Sequence, residues 1–178
     1  MIDKSCPTNP MPLASVVDAL RSERVYQQLK WGATDPKVNH HPSDLIVCME
    51  HYMHWVLAEA TQSATPDTTL ELLRRVVALA LAVFENDGVP IDDVIKDIII
   101  SRDEGRDYRG LPFSVYLLRI ETCLFFARRD IVTTDAADKA KNWILDLINH
   151  GIACFEMWGV APRLIGNVYN MRLEEDLY

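Results

Sequence analysis

The chain has 178 residues, 49% hydrophobic and 25% charged, with 26 Asp and Glu against 18 Lys and Arg, a net charge of -8. That balance argues against a nucleic-acid backbone or an anionic membrane as the main partner, since either needs a cationic face, and the apolar fraction argues against disorder. The longest apolar run, Val76 to Phe84, is too short to span a bilayer, and Met1 to Ala14 has no apolar signal core, so a cytoplasmic globular protein is expected.

The N-terminal residues 1–14 carry Pro7, Pro10 and Pro12 and read as an irregular arm. Ser15, with Asp18 three residues on, predicts a helix to about Trp31, stopped by Gly32. Ala33 to Pro42 is a polar loop, after which Ser43 caps a helix to about Ala60. Thr68 with Glu71 has the form of a capping box for a third helix, which ends at Gly88 before Pro90. A helix from Ile91 to about Tyr108 follows, with Ile98-Ile99-Ile100 inside a charged helical pattern despite its β-branching. Pro112 and Ser114 open the next helix, to about Arg129, and Thr134 or Asp135 opens a long one closing at Gly159. Apolar residues recur three and four apart, as in Leu73, Val76, Val77, Ala80 and Phe84 or Ile144, Leu147, Ile148 and Phe155, so the fold class is all-α. Cys6, Cys48, Cys123 and Cys154 form no close pair, and the last three lie in apolar periodic segments as small hydrophobes.

The same three-helix pattern occurs twice. Ser43 to Ile91 overlays Ser114 to Pro162 at an offset of 71, placing Glu50 on Glu121, Asp67 on Asp138, and Phe84, Glu85, Gly88 and Val89 on Phe155, Glu156, Gly159 and Val160. Upstream, at an offset of 78, Val16 to Leu20 meets Val94 to Ile98, Arg24 meets Arg102 and Gly32 meets Gly110. The expected organisation is an arm over residues 1–14, a first repeat over 15–90, a second over 91–162 and a tail over 163–178, with the repeats packed as one globular domain around a four-helix core. Units that cannot bury an apolar face alone bury it against each other.

In the first repeat, Glu23-Arg24, Gln27 and Lys30-Trp31-Gly32 lead into a His-containing loop. An apolar helix follows that carries Glu50 and ends Ala58-Glu59-Ala60, then a third ending Ala80-Leu81-Ala82-Val83-Phe84-Glu85. This pattern resembles the MazG-like all-α nucleoside triphosphate pyrophosphohydrolases, in particular the phage-type dATP/dGTP pyrophosphohydrolases, over about Ser15 to Pro90. The resemblance implies hydrolysis of a (d)NTP to (d)NMP and pyrophosphate, with Mg²⁺ or Mn²⁺ held by an E-x-x-E motif on the second helix and an E-x-x-D motif on the third. It also implies that one tandem chain supplies the core that other members build by dimerisation, as a monomer or a homodimer.

The chemical positions depart from that pattern. The first motif reads Glu50-His51-Tyr52-Met53-His54, and the matching third-helix positions are Leu72 and Arg75; the second repeat keeps Glu121 and Asp146. One expected composite site joins Glu50, His51 and His54 to Asp146, Asn149 and His150, with Glu50 and Asp146 catalytic and Glu50, His54, Asp146 and His150 as metal ligands, the imidazoles favouring Mn²⁺ or Zn²⁺ over Mg²⁺. A second pairs Glu121 with Arg74 and Arg75, with an Arg75–Glu121 ion pair expected. Lys30, Trp31, His51, Arg74, Arg75 and Asn149 are the expected contacts to a nucleotide or other phosphorylated small molecule.

Each signal has a structural alternative. Glu50 can pair with an arginine of a neighbouring helix, His51 and His54 can cover a helix edge, Arg74 and Arg75 with Glu71 can form a solvated stripe, and Trp31 can plug the core. Asp146, Asn149 and His150 share one helix face at i, i+3 and i+4, where three polar groups need partners or a ligand. Arg102, Arg106 and Arg109 alternate with Asp103, Glu104 and Asp107 as a surface network. A non-catalytic relative that binds nucleotides or a protein partner is the alternative function.

Overall fold

The structure, a computed structural model, describes residues 10–28, 41–62, 66–132 and 137–160. Among them are helices α1 (Leu13–Gln27), α2 (Pro42–Gln62), α3 (Asp67–Glu85), α4 (Ile91–Asp103), α5 (Phe113–Ile131) and α6 (Ala137–Trp158), and no strand. The all-α class follows from the periodicity, including through Ile98 to Ile100, where Ile98 is buried and the next two face out.

Several ends differ from the sequence reading. α3 begins after Pro66 with no side-chain cap, so Thr68 falls inside its first turn and the capping box is not formed. α1 and α5 also start behind prolines, Pro12 and Pro112, whose fixed φ already suits helix entry. α4 ends at Asp103, five residues short of Tyr108. Gly105, at φ 96°, closes it with Arg106 N–H donating to the Ser101 carbonyl at 2.9 Å and its own N–H to that of Arg102 at 3.1 Å. This paired closure needs a left-handed residue, which glycine adopts without a Cβ penalty.

α2, α3, α5 and α6 pack into a four-helix core, with α1 and α4 laid against α3 and α6. α3 is enclosed on every side: each residue from Leu72 to Val83 is buried, including Arg74 and Arg75. It packs tightly on α6 at Gly151, where a Cβ would collide with a γ-methyl of Val77, so the two central helices meet where one lacks a side chain.

Positions related by the two offsets play the same parts. Arg24 on α1 pairs with Glu85 on α3 at 2.7 Å, and Arg102 on α4 pairs with Glu156 on α6 at 2.5 Å. Val16 and Leu20 are buried as Val94 and Ile98 are, and Met49, Val76 and Leu81 as Ile120, Leu147 and Ile152 are. Gly88 and Gly159 end the third helices at φ 79° and 82°. Arg102 therefore does not belong to a surface network with its charged neighbours. Its side chain is 8% exposed and is held by Glu156, whereas Arg109 pairs with Asp107 at the surface.

Candidate metal centre on the second pair of core helices

Asp146 lies midway along α6, on the side that faces α5 and the loop before it. Its Oδ1 accepts a hydrogen bond from the Tyr108 hydroxyl at 3.0 Å. Its Oδ2 lies 3.7 Å from Cys123 Sγ on α5 and 3.8 Å from His150 Nδ1 one turn along α6. Cys123, Asp146 and His150 each offer a ligand atom within 4.8 Å of the others, the one such group of His, Cys, Asp or Glu found among the described residues. Cys123 is 3% exposed and His150 1%, while the Asp146 side chain keeps 29% of its surface open to solvent.

The second shell fixes these groups. The Tyr108 ring stacks on the His150 imidazole, centroids 3.8 Å apart and planes 9° from parallel. His150 Nδ1 sits 2.8 Å from the carbonyl oxygen of Asp146, an acceptor, which assigns the proton to Nδ1 in the neutral ring. His150 Nε2 is buried and makes no hydrogen bond, and neither does Oδ1 of Asn149, whose Nδ2 donates to the Arg106 carbonyl at 3.1 Å. Buried polar atoms left unpaired are costly.

Ionisation follows burial. Desolvation first, then the Asp146 carboxylate, pushes the Cys123 thiol up to about 12, so at neutral pH it is an S–H donating toward Oδ2. The same two causes, in the same order, push the Tyr108 hydroxyl up to about 12. Burial lowers the His150 pKa below 6.5, against a smaller upward pull from Asp146, so the ring is neutral at pH 7.

The other expected site residues lie elsewhere. Glu50 pairs at 2.5 Å with Arg128 of α5, an arginine of a neighbouring helix, and His51 and His54 are exposed on α2. The four-ligand set Glu50, His54, Asp146 and His150 is therefore not assembled: Asp146 and His150 come together, and Cys123 rather than Glu50 or His54 joins them. Glu50 bonds to Arg128, whereas Asp146 faces Tyr108, Cys123 and His150. Arg75 and Glu121 do not pair. Arg75 is fully buried, 3.5 Å from Glu71 of its own helix with its guanidinium 5.7 Å from the centre of the Tyr52 ring, whereas Glu121 is exposed on α5. Arg74 is also buried, 3.3 Å from Glu23, so these two arginines belong to an interior charge network and not to a solvated stripe. Lys30 and Trp31 lie outside the described residues. Comparison with protein families, curated proteins and solved structures found no match to this chain.

Two members of the centre escaped the sequence reading. Cys123 stands alone in an apolar helix, and Tyr108 was placed inside α4. The offset of 71 held a usable signal for the first: Tyr52 and Arg75 meet across α2 and α3, and the residues 71 positions on are Cys123 and Asp146.

Proposed function

We propose that this chain is a divergent, tandemly duplicated MazG-like protein that acts on a nucleoside triphosphate as a pyrophosphohydrolase, from the second repeat alone. The observation that carries the reading is the convergence of Asp146, His150 and Cys123, at one of the two positions where the resemblance leads one to expect metal-binding carboxylates. The offset-related ion pairs Arg24–Glu85 and Arg102–Glu156 support the duplication.

The donor set does not fit the Mg²⁺ of the family. Mg²⁺ demands hard oxygen ligands, and the centre offers one carboxylate beside a thiol and an imidazole. A divalent ion that tolerates nitrogen and sulfur would, when bound, neutralise phosphate charge and polarise water. Of the chain's own groups, Tyr108 orients the Asp146 carboxylate and its ring holds the imidazole plane.

A second reading is a relative without catalysis that binds a nucleotide or a protein partner. It is favoured by the engagement of Glu50 with Arg128 and by Leu72 and Arg75 at the third-helix positions. Pyrophosphate release from a dNTP panel, with Mg²⁺, Mn²⁺ or Zn²⁺ supplied, separates the two. The first reading expects release that Asp146→Asn abolishes and Glu50→Gln leaves unchanged. Without release, a rise in melting temperature with nucleotide alone identifies the second.

A further inference from the structure

We propose that Cys123, Asp146 and His150 form a binding site for a borderline transition-metal ion of the Zn²⁺ class, with Cys123 as a thiolate ligand. The proposal builds on the same centre but does not depend on hydrolysis. Tetrahedral Zn²⁺, with bonds of about 2.0–2.3 Å to oxygen, nitrogen and sulfur, sets its ligand atoms roughly 3.4–3.6 Å apart. Asp146 Oδ2 already lies 3.7 Å from the sulfur and 3.8 Å from His150 Nδ1, and the ligand atoms of all three residues lie within 4.8 Å of one another. Ligation through Nδ1 moves its proton to Nε2 and gives up the bond to the Asp146 carbonyl, and side-chain movements of up to about 1 Å close the remaining gaps.

Three features point to an ion rather than to packing. A carboxylate, a thiol and an imidazole converge from two helices within reach of a single ion. His150 Nε2 and Asn149 Oδ1 are buried beside them without hydrogen-bond partners. The partly open Asp146 gives an entry path, and three protein ligands leave a fourth position for water, as in zinc sites that do chemistry. Around the ligands, the Tyr108 hydroxyl on Oδ1 keeps Oδ2 directed at the centre, the outer-shell arrangement that tunes metal sites. Binding replaces the Cys123 S–H bond by a metal–sulfur bond, and the proton leaves to solvent. Thiolate and imidazole select such an ion over Mg²⁺ by ligand softness.

The test is titration of the full, reduced, metal-stripped chain with Co²⁺, read by near-ultraviolet absorption. One equivalent producing a thiolate-to-cobalt charge-transfer band is expected. The band should vanish in Cys123→Ser and persist in Cys48→Ser and Cys154→Ser. Zn²⁺ should displace the ion, and a large excess of Mg²⁺ should not. Asp146→Asn, isosteric and still able to accept from Tyr108, guards against misfolding of the cysteine variant and should weaken Co²⁺ binding by at least about 100-fold, beyond what outer-shell partners cost. No band in the parent chain, a band indifferent to Cys123→Ser, or displacement by Mg²⁺ would overturn the proposal. Cobalt binding without pyrophosphate release would sink the hydrolase reading alone. Mg²⁺-dependent release unchanged in Cys123→Ser would likewise sink the hydrolase reading at this centre, and the cobalt titration alone decides the thiolate site.

Discussion

Arg102 and Arg24 show how much a charge depends on where its helix leaves it. The side chains of Arg102 and Glu156 are 8% and 10% exposed, so removing the guanidinium strands a buried carboxylate. Arg102→Met is expected to destabilise the protein by about 3–5 kcal/mol in urea unfolding. Arg128→Ala, which breaks the more exposed pair with Glu50, should cost no more than about 1 kcal/mol. If Arg128→Ala proved the costlier, the inward placement of the Arg102 pair would be refuted. Cysteines set a pH limit in a similar way. Burial raises the Cys123 and Cys154 thiols above their ordinary 9.0, so the folded chain holds protons that the unfolded chain releases. That stabilisation is complete below pH 9 and declines as pH rises through the folded values. Melting temperature should therefore fall above pH 9, and fall less in Cys154→Ala once its cavity cost at neutral pH is subtracted.

At the scale of elements, α3 and α6 depend on one intimate approach. Gly151→Ala would press its Cβ into Val77, whose β-branch has little rotamer freedom in a helix. The expected loss is about 1–3 kcal/mol, more than the roughly 1 kcal/mol that alanine gains over glycine in helix propensity. In the double variant Val77→Ala, Gly151→Ala, part of the loss should return, and additive effects in a thermal-melt cycle would disprove the contact. The helices themselves were legible because apolar residues three and four apart can be buried only by a helix of the right phase. Their ends were less so. Proline at the entrance of α1, α3 and α5 did the work expected of Ser15, Thr68 and Ser114, and Gly105 cut α4 short of Tyr108. The candidate centre was half legible for a related reason. Asp146, Asn149 and His150 announced a polar stripe by spacing along one helix, but Cys123 and Tyr108 come from other elements, where only the fold supplies the neighbours. Glu50 and Asp146 were paired on the logic of composite sites. Arg128, 78 residues away and on the opposing helix, had the stronger claim on Glu50.

At the scale of the molecule, the two halves of the chain are structurally interdependent. α3 packs against α1, α2, α4 and α6, and α6 against α1, α3, α4 and α5. A fragment ending at residue 90 would expose the apolar face that α6 covers. Such a fragment, followed by circular dichroism and size-exclusion chromatography, should lose cooperative unfolding or self-associate, while the full chain melts in one transition. A monomeric fragment with a sharp transition of its own would contradict this.

The unbroken enclosure of Leu72 to Val83 also predicts where the protein opens last. Backbone amides inside this stretch reach solvent only when neighbours on every side have separated, so their deuterium uptake should report global unfolding, while the outer turns of α2 and α5 exchange by local fraying. The slowest-exchanging segment in a mass-spectrometric time course should then be the central turns of α3.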